Sequence, residues 1–294
     1  MNNSMSKSLK NKKNILLQLM KHRLSLMVAF SSVVGWFLFS RNITFGTVAL
    51  FMGTFLVAGG ASALNQFQEK ELDDKMGRTQ NRPLPAKLVS PKEALFIALS
   101  LIVTGTLLLL INSMVTAFLG LLNVVFYNLL YTKLKTKTQF AIIPGAVVGA
   151  IPPIMGWTAA GGIIFSPQII FFAMFMFLWQ MPHFWLLAIK YGKEYQKAGF
   201  SIVSNEMEES KIKGLILFWS VITSIYLLSF PVYFKETSII TVILLVILNI
   251  LFIISFYRSL FGKKTEPKSL FKAFLIINSY AFLIMLLFVA NAFI

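Results

Sequence analysis

The chain contains no cysteine, which excludes disulfides and thiolate metal sites. Charge is also scarce. Only 13% of the 294 residues are Asp, Glu, Lys or Arg, against roughly 25% in a soluble domain. Too few charges remain to cover a water-facing surface, so neither a soluble enzyme nor a disordered chain fits. Acids are scarcest, with 11 in all, so where they fall carries information.

What is abundant is apolar: 57% of residues are hydrophobic, 29 of them Phe, and mean hydropathy is +0.75. The Phe content suits lipid-facing surfaces. Apolar runs lie near 24–40, 45–64, 94–111, 113–130, 140–160, 166–189, 214–234, 237–257 and 270–291. Most are long enough to span a bilayer, which takes about 20 residues. Long runs rather than short alternating ones argue against a barrel. The first run follows a basic segment, but no small-residue cleavage site follows it, so it reads as a retained helix. The expected fold class is all-α: a polytopic membrane protein of about nine transmembrane helices around an apolar chamber. Residues 1–23 form a basic cytoplasmic segment, and 24–294 a single membrane domain.

Nine spans place alternate connections on opposite sides. Segments 1–23, 65–93, 131–139, 190–213 and 257–272 hold 25 of the 27 Lys and Arg residues, leaving Arg41 and Lys235 for the other side. Positive charge concentrates in the cytoplasm, so the N-terminus is expected inside and the C-terminus outside. The net charge of +16 then needs no nucleic-acid partner. Lys7, Lys10, Lys12 and Lys13 would lie against anionic head groups of the lipid bilayer.

Ten of the 11 acids fall on the same side as the cations. Five lie in 65–93 and four in 190–213, after the second and sixth runs, a spacing that hints at a duplicated four-helix unit. The first cluster runs from Asn65 through Glu69, Glu71, Asp73, Asp74, Arg78 and Arg82 to Pro83 and Pro85. If the second helix continues past its apolar run, Asn65, Glu69 and Asp73 share one face, four residues and about 6 Å apart. Glu71 and Asp74 then point elsewhere. Carboxylates and an amide carbonyl are hard oxygen ligands suited to Mg²⁺ shared with a phosphate substrate. Arg78 and Arg82 are also four apart and bring guanidinium groups that bind phosphate oxygens. Pro83 and Pro85 end any helix and fold the strip back. In the second cluster Glu194 can add a carboxylate and Lys193 a positive charge, whereas Glu206, Glu208 and Glu209 read as solvated.

Two further features break the apolar runs. His183, with Trp179, Gln180 and Pro182 nearby, lies near the cytoplasmic end of the sixth run. An ionisable group there is either a satisfied core residue or a substrate contact such as a haem ligand. Pro144, Pro152 and Pro153 are expected to break the fifth run near its ends. Tyr131, Lys133 and Lys135 follow the fourth run and add an aromatic ring and two cations.

The stretch Asn65-x3-Glu69-x3-Asp73, followed by Met76-x-Arg78-Thr79-x-Asn81-Arg82-Pro83-Leu84, resembles the first aspartate-rich motif of the UbiA-type intramembrane prenyltransferases. Leu64-Asn65-Gln66, Tyr131-Thr132-x-Leu134-Lys135, Gly149-Ala150-x-Pro152-Pro153-x-x-Gly156-Trp157 and Trp179-Gln180-Met181-Pro182-His183 agree as well. The last two resemble the haem-prenylating branch. The likeness spans about 20–290. Glu69 and Glu71 stand where that family commonly has Asp, and His22 where it has Pro. Phe200–Ser204 departs from its Ile-Pro-x-Leu-Pro.

The resemblance implies an enzyme that transfers farnesyl from farnesyl diphosphate to a vinyl group of haem B, adding water to give haem O. Mg²⁺ would be the cofactor, held by Glu69, Asp73 and Glu194. Asn65, Glu69 and Asp73 would be catalytic. Arg78, Arg82, Lys135 and Lys193 would bind the diphosphate, and His183 with Trp179 the haem. The product would pass to a downstream haem-modifying enzyme or an oxidase. A prokaryotic plasma membrane, with the site facing the cytoplasm, is the expected location. A quinone precursor or a chlorophyll-type tetrapyrrole is the alternative acceptor. A transporter is the alternative class, disfavoured because the ionisable residues crowd one mouth.

Overall fold

The computed structural model describes residues 12–199, 207–262 and 267–293, with side chains from 269 in the last segment. Lys7, Lys10, the loop Phe200–Ser204 and Glu206 lie outside the described residues. Among those described there is no strand. A short helical segment, 12–19, precedes nine longer helices. These are α1 (His22–Phe37), α2 (Phe45–Asp74), α3 (Pro91–Leu110), α4 (Met114–Leu134), α5 (Gln139–Ala159), α6 (Pro167–Ala198), α7 (Glu209–Leu227), α8 (Ile239–Phe261) and α9 (Pro267–Phe293).

Eight of the nine are long and apolar enough to cross a membrane. The exception is α1, whose 16 residues rise about 24 Å, short of a hydrocarbon core about 30 Å thick. Its apolar run was expected to reach residue 40, but the helix stops at Phe37, where the chain turns. Among the described residues the molecule is therefore a multi-pass helical bundle of eight full-length spans and one shorter helix, α1, which runs from Lys21 at one end of the bundle towards Arg41 at the other.

Helix starts follow local chemistry. Ser90 and Glu93 form a reciprocal capping box at the start of α3, where Pro91 fixes the first turn. Ser113 and Ser238 accept from the Thr116 and Thr241 amides at the starts of α4 and α8.

The prolines do not break α5: Pro152 and Pro153 lie inside a continuous helix. They leave the carbonyls of Val148 and Gly149 without their helical donors, and the Gln180 amide lies against Gly149 at that point. The continuous helix packs backbone to backbone on α1. A Cβ on Gly156 would come 1.7 Å from the Ser32 carbonyl oxygen, and one on Gly35 2.0 Å from that of Pro153, so only glycine permits this approach.

Nor do the phenylalanines simply face lipid. Phe96, Phe118, Phe140 and Phe218 are exposed, but Phe171, Phe172, Phe175, Phe230, Phe256 and Phe288 are the bulkiest of the fully buried side chains. Five of these six, all but Phe256, form one group of stacked, tilted and edge-to-face rings around α6 and α9, with Phe230 and Phe288 stacked 4.3 Å apart at 11°. Lipid provides no hydrophobic drive for helices to associate, so ring packing supplies cohesion there.

Candidate active site

Helix α2 continues ten residues beyond its expected apolar run, to Asp74. Asn65, Glu69 and Asp73 form one buried stripe, each at most 5% exposed. Glu71 and Asp74 face outward. After Asp74 the chain folds back. The Thr79 hydroxyl donates to the Asp73 carbonyl, and Arg82 Nη1 donates to both Asp73 carboxylate oxygens at 2.8 and 2.7 Å. The expected fold-back of this basic strip is present, and Pro83 and Pro85 lie just beyond the returning arginine.

The end of α4 closes the other side. Residues Val125–Tyr131 form a π-helical segment, which alters the angular spacing along the helix. Within it, Asn128 donates to the Ala61 carbonyl and to Gln68 Oε1. Just after it, Thr132 accepts from Asn65 Nδ2 at 3.0 Å. Lys135 reaches Glu69 at 2.5 Å, while Lys133 is exposed.

One cation escaped the sequence reading. Lys21 precedes α1 with φ 44°, a left-handed backbone uncommon outside glycine. That turn directs Nζ to Asn65 Oδ1 at 3.0 Å and to the Tyr127 hydroxyl at 3.4 Å. The segment is anchored because Gln66 donates to the Gln18 and Leu19 carbonyls. Burial, reinforced by the positive charges of Arg82 and Lys135, pushes the Lys21 ammonium down to about 7. The only signal in the sequence was a lysine directly before the first apolar run. Tyr127 was missed too, and Thr132 was named only within a matching stretch and given no role; the π turn is what brings the two together.

The two acidic loops meet. Glu194, near the end of α6, accepts from the Arg78 amide at 3.1 Å. The Arg78 guanidinium lies 4.5 Å over Tyr191 and donates to the Tyr195 hydroxyl. Lys193 is exposed and makes no ion pair among the described residues; it points away from the face that carries Glu194. Among the described residues no three acidic or histidine side chains are gathered as a ready metal cluster, so Glu69, Asp73 and Glu194 do not form one in this state. Each of the three already has a partner: Lys135, Arg82 and the Arg78 amide. The donor set still fits a hard cation in kind, with two buried carboxylates one turn apart and opposing cations able to exchange onto an anion.

One turn further into the bundle lies an apolar cavity lined by Leu24, Val28, Val57, Ala61, Val124, Tyr127, Val148 and Met155. Tyr127 belongs to both the cavity and the polar cluster. His183 sits to the side, with Nδ1 buried and unpartnered. Its ring centroid is 5.0 Å from Trp179 and 5.1 Å from Phe274. The single ring of Phe184 separates it from Tyr131, at 6.0 and 5.8 Å. Trp179 is fixed by donating to the Ile277 carbonyl.

A charged mouth above an apolar cavity suits a substrate with an anionic head and a hydrocarbon tail. Comparison with known proteins agrees. The UbiA prenyltransferase family profile matches residues 24–289. A protoheme IX farnesyltransferase from Christiangramia forsetii is 38% identical over 71% of this chain and 70% of its own. Another, from Flavobacterium psychrophilum, is 31% identical over 94% and 93%. A UbiA homologue from Archaeoglobus fulgidus, bound to GPP and Mg²⁺, superposes with a TM-score of 0.71 at 14% identity, covering 95% of this chain and 98% of that one. The chain belongs to the UbiA prenyltransferase family.

Proposed function

We propose that this prenyltransferase moves a farnesyl group from farnesyl diphosphate to a vinyl group of haem B, with addition of water, giving haem O. The observation that carries the reading is the near full-length similarity to a protoheme IX farnesyltransferase. The geometry supports it: the ring cluster of His183 and Trp179 lies one phenyl ring from Tyr131 at the carboxylate mouth.

Glu69, Asp73 and Glu194 would hold Mg²⁺, which when bound supplies positive charge to the departing diphosphate. Arg78, Arg82 and Lys135 leave their present partners for the diphosphate oxygens, with Lys193 at the rim. Asn65, oriented by Thr132 and Lys21, positions the head group. The apolar cavity holds the prenyl chain and keeps water from the allylic cation until the vinyl carbon has attacked. His183 contacts the haem. The concentration of Lys and Arg at this end of the bundle supports a site facing the cytoplasm of a plasma membrane.

The test is to incubate membranes carrying the protein with haem B, farnesyl diphosphate and Mg²⁺, then read the haem by mass spectrometry. A Mg²⁺-dependent gain of one farnesyl and one water is expected. Unmodified haem alongside a prenylated quinone precursor would move the reading to another acceptor. Two variants refine it. His183→Ala weakens haem binding and alters the haem absorption spectrum; an unchanged spectrum and affinity would remove the contact. Lys21 gives a pH signature. Its proton is held by the unfolded chain and released by the folded one between about 7 and 10.5, so this group makes folding stability rise with pH across that window. A bound diphosphate reverses the preference. Binding at pH 8 therefore takes up a proton, and affinity falls as pH rises above about 7. Calorimetry in two buffers of different ionisation heat measures the uptake, and Lys21→Arg abolishes that component.

A further inference from the structure

The end of the bundle opposite the carboxylate stripe carries few charges. Its connections hold Arg41 between α1 and α2, and Lys235 and Glu236 between α7 and α8; segments 111–113 and 160–166 hold none. All three charged residues line one cavity of about 460 Å³, a size typical of small-molecule pockets. Much of the remaining wall is aromatic, including Phe39, Trp157, Tyr233 and Phe234. Phe39 and Trp157 meet edge to face at 5.1 Å.

A solvated pair of loop charges needs neither a hollow nor an aromatic floor. The Arg41–Glu236 pair is long, at 3.4 Å, with side chains 58% and 89% exposed, so it is a weak constraint. Lys235 makes no ion pair among the described residues. The cavity thus offers one cation without an ion pair, a second that is loosely held, and a largely aromatic wall beside them. That combination recognises an anionic amphiphile with a flat apolar body.

We propose that this cavity is a second tetrapyrrole site, with the carboxylates at Arg41 and Lys235 and the macrocycle against the Trp157 side. The choice of a tetrapyrrole rests on the haem reading above, since haem is the flat dicarboxylate which that reading brings to the protein. An anionic lipid head group shares the charge chemistry. The site lies a helix length from the carboxylate mouth, so it serves delivery or release of the macrocycle rather than prenyl transfer.

The test uses the full chain in phosphatidylcholine nanodiscs, titrated with haem B by absorbance, with haem product measured on the same samples once farnesyl diphosphate and Mg²⁺ are added. Two haems per chain are expected. Arg41→Gln with Lys235→Gln removes one of them, and His183→Ala weakens the other. Glu236→Gln releases Arg41 and tightens the distal haem about two- to fivefold, which a purely structural ion pair would not do. A single haem per chain that is insensitive to Arg41 and Lys235, with haem product still formed, overturns the second site and leaves the enzymatic reading standing. Absence of haem product with any sample sinks that reading separately. If the distal haem fails to bind while spin-labelled phosphatidylglycerol is enriched around the wild type and not the double variant, the ligand is a lipid and the tetrapyrrole assignment falls.

Discussion

Asp73→Asn lowers the rate of farnesyl transfer by about 10²–10³-fold, equivalent to about 2.7–4 kcal/mol of lost electrostatic stabilisation. The protein stays folded in the membrane. Asparagine keeps the shape of the side chain and removes only its charge. In the resting protein that charge accepts both hydrogen bonds from Arg82, and Asp73 is 1% exposed. The guanidinium, 24% exposed, can turn to water when its partner is neutralised, so the fold tolerates the change. The reaction does not, because Asp73 is both a proposed Mg²⁺ ligand and the group that holds Arg82 ready for the diphosphate. Glu69→Gln behaves alike through Lys135. Asp74→Asn, on the outward face of the same helix turn, is the control and leaves the rate unchanged. Haem product measured against immunodetected protein in the membrane decides the matter. Activity of Asp73→Asn within about threefold of wild type would detach this residue from catalysis.

The stripe was legible because helical period alone separates Asn65, Glu69 and Asp73 from Glu71 and Asp74, and because ten acids beside 25 basic residues mark one mouth. Arg82 could be placed against the stripe because prolines follow it directly. What was hidden depends on backbone detail or tertiary contact. Lys21 looks like another head-group lysine until its left-handed turn brings it inward. Asn128 and Thr132, four apart, share a face in a regular helix, but Tyr127 lies five residues from Thr132 and is brought to its side by the π segment, which composition did not signal. Pro152 and Pro153 read as a break, yet α5 is continuous through them, and α1 lies in backbone contact with it along Gly156 and Gly35. Phe content indicated a membrane but not which rings face lipid, because lipid and core are equally apolar to a single sequence. Lys193, next to Glu194, falls on a different face, as adjacent helical residues must.

Mn²⁺ used as a probe binds the resting protein weakly, and inorganic diphosphate strengthens its binding at least tenfold. Every carboxylate proposed to hold the metal is already engaged: Glu69 by Lys135, Asp73 by Arg82 and Glu194 by the Arg78 amide. A divalent cation arriving alone must displace these groups and add charge where Lys21 is already driven down to about 7 by burial and its cationic neighbours. Diphosphate takes up the displaced cations, and the freed carboxylates become ligands. Tenfold corresponds to about 1.4 kcal/mol, within the usual range for coupled sites, and metal must strengthen diphosphate binding by the same factor. Electron paramagnetic resonance of free Mn²⁺, corrected for the metal–diphosphate complex in solution, measures the effect. Lys135→Gln separates this exchange from simple chelation. Releasing Glu69 tightens Mn²⁺ binding in the absence of diphosphate and shrinks the enhancement, whereas equal Mn²⁺ affinity with and without diphosphate would show that the ion pairs do not guard the site.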